Sequence, residues 1–248
     1  MRLATYRAGK IFILYDADSL CDAGRPSQMA PPLPPHSFDP DYWRDAGRVV
    51  GEAPGRGASL FLDASSFERG ARWVLRPYRR GGLVARLSDD RYLWTGLERT
   101  RAFRECRLTA ELYARGLPVP RPVAARVTRH GLTYRAALIT VCIPGARALA
   151  SLVENDEAGD ALLEGVGSTI RRFHDVGLDH VDLNARNLLI DSQGKVWLID
   201  LDRCRLRPKG TWQADNLARL ERSLAKFGAT DVMATIQDGY AGSSKVSV

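Results

Sequence analysis

The chain has 248 residues, of which 45% are hydrophobic and 26% charged, and it carries a net charge of +7. This composition is that of a folded globular protein and excludes a disordered or fibrous chain, and no apolar run approaches the roughly 20 residues of a membrane-spanning helix. The early apolar run at residues 11–15 is too short for a signal peptide, so we expect a cytoplasmic protein. The four cysteines are widely spaced and predict reduced thiols rather than a zinc or redox site.

Basic residues are concentrated between positions 72 and 135, where 15 arginines and five acidic residues give a net charge of +10, whereas the rest of the chain carries −3. Such a segment predicts an anionic partner, which can be nucleic acid, a phosphorylated ligand or an anionic membrane surface. A solvated arginine-rich surface would have the same composition, so charge alone does not choose among these interpretations.

The first half of the chain predicts a β-rich unit. Residues 1–50 are interpreted as an irregular arm with one short strand, because prolines interrupt residues 30–35. A glycine-rich turn is expected at residues 51–57, followed by strands at 59–62 and 73–76.

One helix is predicted in this half, over residues 100–115. Its apolar residues recur at helical spacing, and Gly116 follows as a stop signal. After an extended connection through Pro118, Pro120 and Pro122, residues 136–141 predict a buried strand.

The second half predicts helices around a β-hairpin. Helices are expected at residues 160–175 and about 217–227, and the hairpin strands at 187–191 and 195–201. The tail from residue 241 is expected to fray. We therefore expect an α+β chain of two lobes, an N-lobe over about residues 1–142 and a C-lobe over about residues 146–248.

The sharpest chemical signal lies in the second half. His180, Asp182, Leu183 and Asn187 match the protein-kinase catalytic loop H-R-D-L-x-x-x-N, and Asp200 follows the hairpin at the place of the metal-binding aspartate of D-F-G. Phosphoryl transfer needs a carboxylate that orients the acceptor hydroxyl and oxygen ligands that hold Mg²⁺ against the nucleotide phosphates. The pattern predicts a protein-kinase-like two-lobed fold with Asp182 as catalytic base and Asn187 and Asp200 as Mg²⁺ ligands.

The same residues have a simpler interpretation when each is taken alone. Asp182 and Asn184 can shape a local turn through side-chain hydrogen bonds, and Asp200 and Asp202 can simply end a strand. The joint spacing favours the kinase interpretation, with a structural role for His180.

A nucleotide-binding group is expected in the first half. Gly51, Gly55 and Gly57 would let backbone amides approach the ATP phosphates, although such a glycine cluster is more often only a turn. Arg76 stands at the strand end where kinases of the V-A-I-K type have lysine. Glu105 on the following helix is the acid expected to pair with Arg76. The alternative is an exposed strand-end arginine and a solvated helix glutamate.

Several kinase features are missing. The D-F-G glycine, an A-P-E motif and the arginine before the catalytic aspartate are absent, and only 48 residues follow Asp200. That length leaves no room for a peptide-docking lobe, so a small molecule or a lipid-linked sugar is the expected acceptor.

The sequence resembles the bacterial 3-deoxy-D-manno-octulosonic acid (Kdo) kinases, within the wider group of lipopolysaccharide kinases. The resemblance is carried by five stretches, residues 75–83, 90–94, 116–122, 180–187 and 197–204. It implies ATP-dependent phosphorylation of the Kdo 4-hydroxyl on Kdo-lipid IVA, by a peripheral protein at the cytoplasmic face of the inner membrane.

This acceptor carries a carboxylate and phosphates, which arginine binds bidentately. We therefore expect Arg79, Arg80 and Arg91 to face the acceptor or the anionic membrane surface, and we expect no nucleic acid partner.

Two alternatives stay open. One is a kinase of another acceptor, such as a core heptose or an aminoglycoside-like small molecule. The other is an arginine-rich nucleic-acid-binding module, in which Tyr78, Tyr92 and Trp94 would stack on bases.

Overall fold

The computed structural model of the chain describes residues 1–20, 33–53, 59–79 and 90–242. The chain divides into two compact units. Unit 1 comprises Met1–Ala114 and Arg121–Cys142, and unit 2 comprises Arg115–Pro120 and Ile143–Val248.

Unit 1 contains a large antiparallel sheet. Its eight described strands are β1 (Leu3–Ala8), β2 (Ile11–Asp16), β3 (Val49–Ala53), β4 (Ser59–Asp63), β5 (Arg72–Pro77), β6 (Tyr92–Leu93), β7 (Pro122–His130) and β8 (Thr133–Val141). The strand order is β1-β2-β7-β8-β5-β4-β3, and β6 pairs with β8 beyond the end of β5. The described part of this unit also has three helices, α1 (Ala17–Leu20), α2 (Pro40–Asp45) and α3 (Arg101–Ala114), and short 3₁₀ turns at Pro35–Phe38 and Leu97–Arg99.

Both faces of the sheet are covered, because successive side chains of a strand point to opposite faces. Ile13 lies on the face covered by Trp43 of α2, and Leu14 lies on the face covered by Phe103 of α3. The predicted helix at residues 100–115 is confirmed, since its apolar stripe is the part of α3 that packs on the sheet.

The prediction of an irregular arm with one short strand is wrong for residues 1–20. β1 and β2 form a hairpin, and β2 pairs with β7 inside the sheet. β2 is buried on both faces, so it shows a short apolar run instead of the alternation that marks a half-buried strand. The prediction of a turn over residues 51–57 is wrong at its start, because Gly51 lies within β3, and residues 54–57 lie outside the described residues.

Unit 2 is mainly helical. Its helices are α4 (Leu149–Glu154), α5 (Asp160–Asp175), α6 (Trp212–Ala225) and α7 (Val232–Gly242), and its strands are β9 (Arg147–Ala148), β10 (Leu178–Asp179), β11 (Leu188–Ile190), β12 (Val196–Leu198) and β13 (Arg205–Leu206). β11 pairs with β9 and β12, and β10 pairs with β13, always antiparallel. The predicted hairpin and the helix at 160–175 are confirmed, and the helix expected at 217–227 begins earlier, at Trp212.

The sequence did not predict α7, which packs against α5 through glycines. A Cβ on Gly167 would lie 1.9 Å from the Ile236 carbonyl oxygen, and one on Gly239 would lie 2.1 Å from the Glu164 carbonyl oxygen. The contact therefore depends on the lack of a side chain at Gly167 and Gly239, and this produces no apolar stripe in the sequence. Within the described ranges, no helix combines the length and apolar character needed to cross a bilayer.

Candidate active site

The loop between β10 and β11 contains the kinase-like motif, and Asn184 shapes it. The Asn184 Oδ1 accepts hydrogen bonds from the backbone N–H groups of Arg186 at 2.9 Å and Asn187 at 3.2 Å. Its Nδ2 donates to the Asp182 carbonyl oxygen at 3.0 Å. The local turn considered from the sequence is thus present, and it leaves the Asp182 side chain exposed at the top of the loop.

Asn187 is held by the same carbonyl. Its Nδ2 donates to the Asp182 carbonyl oxygen at 2.9 Å. Because a carbonyl can only accept, the amide nitrogen must face it. The Asn187 Oδ1 is then left as the atom that can bind a cation.

Asp200 is brought next to Asn187 by the backbone. The Ile199 N–H donates to the Asn187 carbonyl oxygen at 3.0 Å, and Asp200 follows directly. Asp200 has φ +59°, a left-handed conformation that aspartate tolerates better than most residues but that still costs about 1 kcal/mol. Such a conformation persists only where its surroundings enforce it.

Asn187 and Asp200 fit a Mg²⁺ ion by their chemistry. Both offer hard oxygen donors, and Mg²⁺ commonly binds proteins through one or two such groups while keeping waters and phosphate oxygens. Among the described residues there is no group of three or more His, Cys, Asp or Glu placed to hold a metal. A cation here would therefore take its remaining ligands from water or from a nucleotide.

His180 forms the floor of the loop. It is 1% exposed, and its Nε2 lies 3.0 Å from the Ile199 carbonyl oxygen, so this nitrogen carries the proton. Burial lowers the pKa of His180, which favours the neutral ring. The contact ties the catalytic-loop motif to the residue before Asp200 and supports a structural role.

Asn216 of α6 is a site residue that the sequence analysis missed. It is 1% exposed, its Oδ1 accepts the His180 backbone N–H at 2.9 Å, and its Nδ2 donates to Asp179 Oδ1 at 3.0 Å. Burial acts to raise the pKa of Asp179, but hydrogen bonds from Asn216 and Arg207 outweigh it and hold that pKa below its usual value. The sequence contains one signal for Asn216. It is a polar residue on the apolar face of α6, four positions from both Trp212 and Leu220.

Unit 1 contains a polar cluster of its own. Arg76 of β5 forms an ion pair with Glu105 of α3, so the structure brings together the two residues that were expected to pair. Glu105 is 4% exposed and is buried rather than solvated. The Tyr78 hydroxyl also donates to Glu105, and the Arg76 guanidinium lies 4.9 Å from the centroid of the Tyr78 ring. The sequence analysis did not assign Tyr78 to this cluster.

Arg79 and Arg91 are both exposed. Tyr78 donates its backbone N–H to Ala136 of β8, and Tyr92 pairs with Tyr134 of the same strand. These contacts bring the backbones of Arg79 and Arg91 alongside residues 134–136 of β8. The other predicted site residues of unit 1, Gly55, Gly57 and Arg80, lie outside the described residues.

The aromatic residues that a nucleic-acid module would need are packed inside unit 1. Tyr78 and Tyr92 are buried, and Trp94 stacks on Phe12 and contacts the Tyr134 ring edge-on. Base stacking requires an exposed ring face. The observation removes the feature that favoured that alternative.

Comparison with known proteins places these motifs in context. Residues 40–240 match the lipopolysaccharide kinase (Kdo/WaaP) family. A protein of Photobacterium profundum is 44% identical over 193 residues, which cover 78% of this chain and 80% of that protein, and one of Vibrio cholerae is 43% identical over the same length and shares. A protein of Xanthomonas campestris pv. campestris is 45% identical over 243 residues, or 96% of this chain and 90% of that protein. All three relatives are named 3-deoxy-D-manno-octulosonic acid kinase.

Proposed function

The chain belongs to the lipopolysaccharide kinase (Kdo/WaaP) family, and from this membership we propose that it transfers the γ-phosphoryl group of ATP to the 4-hydroxyl of Kdo on Kdo-lipid IVA. It is a kinase, and phosphorylation of Kdo in lipopolysaccharide biosynthesis agrees with relatives 43–45% identical over most of its length. The observed mixture of a large antiparallel sheet with several helices is compatible with a protein-kinase-like two-lobed fold.

Asp182 is the proposed catalytic base. Its exposed carboxylate would accept a hydrogen bond from the acceptor hydroxyl, orient it toward the γ-phosphorus and take its proton as the new P–O bond forms. The Asp182 carbonyl is held by two amide groups, from Asn184 and Asn187, which fix the backbone that carries this carboxylate.

Asn187 and Asp200 are the proposed Mg²⁺ ligands. The ion, when bound, would neutralise charge on the ATP phosphates. The Asn187 amide is pre-oriented by the Asp182 carbonyl, and Asp200 is positioned by its strained backbone. These two residues would therefore bind without large rearrangement.

Arg76 is the proposed contact of the ATP α- and β-phosphates. Glu105 and Tyr78 hold its guanidinium and limit its motion. Arginine in place of lysine offers a planar fork that can bind two phosphate oxygens at once. The exposed Arg79 and Arg91, together with Arg80, are proposed to face the acceptor's carboxylate and phosphates, on a protein that associates peripherally with the inner membrane.

The single observation that supports the proposal is a pair of hydrogen bonds centred on Asn187. Its Nδ2 donates to the Asp182 carbonyl oxygen, and its own carbonyl oxygen accepts the N–H of Ile199, the residue before Asp200. The test is phosphoryl transfer from radiolabelled ATP to Kdo-lipid IVA, a Kdo-free lipid A precursor and a generic protein. We expect label only on the Kdo-containing lipid and none with Asp182→Ala. Label on the Kdo-free precursor, or on no lipid, would overturn the assignment.

A further inference from the structure

The two most exposed large hydrophobic residues of the described chain lie at one end of the unit 1 sheet. Leu132 is 80% exposed and Leu93 is 71% exposed. Leu93 pairs with Thr133, and the Trp94 N–H donates to the Leu132 carbonyl oxygen at 2.9 Å. The two leucines therefore belong to neighbouring positions of one strand pair and are not scattered over the surface.

The position of Leu132 is unusual for leucine. It follows Gly131 in the two-residue turn between β7 and β8, and Gly131 has φ +60°. Polar residues and glycine dominate such turns, because the side chain there points into solvent. Neither folding nor packing of unit 1 accounts for an aliphatic side chain at this tip.

The same end of the sheet is strongly basic. We define the hairpin end as the β1–β2 turn at Gly9 and Lys10, the β7–β8 turn at Gly131 and Leu132, and β6. The Arg129 N–H donates to the Lys10 carbonyl oxygen at 2.9 Å, which joins the two turns.

Four exposed cations surround these turns, Lys10, Arg91, Arg129 and Arg135. Burial lowers the pKa of His130 beside the turn, and the charges of Arg91, Arg135 and Lys10 act in the same direction. Among the described residues of this group the acid is Asp90, which pairs with Arg135 at 2.7 Å. The hairpin end thus carries a net charge of about +3 at neutral pH.

Exposed leucines ringed by cations are the combination that a bilayer interface binds. Aliphatic side chains enter the boundary between head groups and acyl chains, while Lys and Arg meet anionic head groups, each contributing about 1 kcal/mol. Single-stranded nucleic acid would instead stack on exposed aromatic rings, whereas Tyr92 and Tyr134 are buried here and Trp94 is half-buried.

We propose that the hairpin end is a membrane-docking surface that inserts Leu132 and Leu93 into an anionic phospholipid bilayer. This proposal rests on the proposed function in one respect, because a lipid-linked acceptor lies in the membrane and the kinase must bind there to reach it. The hairpin end is distinct from the catalytic loop, which lies in unit 2.

The test is cosedimentation of the full chain with two kinds of vesicle, equal parts phosphatidylglycerol and phosphatidylcholine, and phosphatidylcholine alone. We expect binding to the anionic vesicles, weakened by added salt. Leu93→Ser combined with Leu132→Ser should lower the partition coefficient about tenfold, from loss of two partly inserted side chains. Lys10→Glu should lower it at least fivefold, which is the factor that corresponds to about 1 kcal/mol.

Two variants serve as matched controls. Val50→Ser removes a 54% exposed valine from β3, the far edge strand, and Arg69→Glu reverses an exposed charge in the turn before β5, at the opposite end of the sheet. Both should bind vesicles like the wild type. Absence of wild-type binding to anionic vesicles, equal binding by the leucine variant, or oligonucleotide binding that competes with the vesicles would each overturn the proposal.

A parallel assay separates docking from catalysis. The leucine variant should phosphorylate detergent-solubilised Kdo-lipid IVA at the wild-type rate and lose activity on the same acceptor in vesicles. If the wild type fails with the detergent-solubilised acceptor but still binds vesicles, the proposed function fails and the docking surface stands. If the leucine variant is equally active in both forms, the docking surface fails and the proposed function stands.

Discussion

Replacing Asn216 with alanine tests whether α6 holds the catalytic loop in place. The change leaves the buried His180 N–H without its acceptor, which costs about 1–3 kcal/mol, and removes a hydrogen bond to the Asp179 carboxylate worth about 1.5 kcal/mol. The carbonyl of Trp212 keeps its intrahelical partner and adds little. A loss of roughly 3–4 kcal/mol in the free energy of unfolding corresponds to a fall in Tm of about 10 °C for a chain of this size.

The matched variant Asn216→Asp keeps the acceptor for the His180 N–H but places a second carboxylate 3.0 Å from Asp179. We expect this variant to be at least as destabilised as Asn216→Ala at neutral pH. The difference between their free energies of unfolding should become smaller at acidic pH, where the two carboxylates share a proton. Glu221→Ala, an exposed residue of the same helix, is the control and should leave Tm unchanged.

Differential scanning calorimetry measures the stability of each variant. Single-turnover kinetics at saturating ATP, at a temperature below each variant's Tm, measures the rate of phosphoryl transfer and so the effect on the loop that carries Asp182. Asn216→Ala should lower kcat by at least tenfold with little change in ATP affinity, because Asn216 holds the backbone at His180, two residues before Asp182. A Tm within about 2 °C of the wild type, or a loss of stability with kcat unchanged, would refute the positioning role.

Three further outcomes are expected. Asp182→Asn keeps the shape of the loop and removes the proton acceptor, so kcat should fall by about 10²–10⁴-fold while ATP binding by calorimetry is retained; equal losses of rate and ATP affinity would contradict this assignment. Tyr78→Phe removes one of the groups that hold Glu105, and we expect a several-fold rise in the KM for ATP with a small change in kcat; an unchanged KM would separate Tyr78 from the Arg76 cluster. Burial lowers the pKa of His174 to about 4 from an ordinary value of 6.5, so the unfolded chain binds a proton that the folded chain does not, and about 3 kcal/mol of stability present above pH 6.5 is lost as the pH falls to 4. His174→Phe should flatten this part of the stability–pH curve measured by urea unfolding, and an unchanged slope would place the titration elsewhere.

The helices that the sequence predicted well are those whose packing is carried by apolar side chains. α3 and α5 each have an apolar stripe at helical spacing that packs on the rest of their unit. The spacing of apolar residues in the sequence therefore predicts the face that is buried. α7 packs on α5 by the close approach of Gly167 and Gly239, and a missing side chain leaves no periodic signal. The position of β2 inside the sheet gave no signal for another reason, because a strand buried on both faces loses its alternation of apolar and polar residues.

The candidate residues of the loop between β10 and β11 formed a recognisable motif because they lie close together in the sequence. Asp182, Asn187 and Asp200 lie within 19 positions of one another, and the hairpin between them fixes their spacing. Asn216 lies 36 residues from His180, and Tyr78 lies 27 residues from Glu105. Their partners are set by tertiary packing, which a single sequence does not encode as a pattern.

The basic segment shows why charge must be counted over a surface. Within residues 72–135, Arg121 lies 3.9 Å from Asp16, and Arg126 pairs with Asp39 at 2.6 Å. These arginines hold the N-terminal region on the sheet. Their charges are neutralised by Asp16 and Asp39, which lie outside residues 72–135 and so were not counted in the charge of that segment. Lys10 lies outside the segment and yet joins Arg129 at the hairpin end. An anionic surface therefore meets the local charge of about +3 rather than the segment's +10, and a variant at Arg126 should weaken folding while a variant at Lys10 should weaken membrane binding.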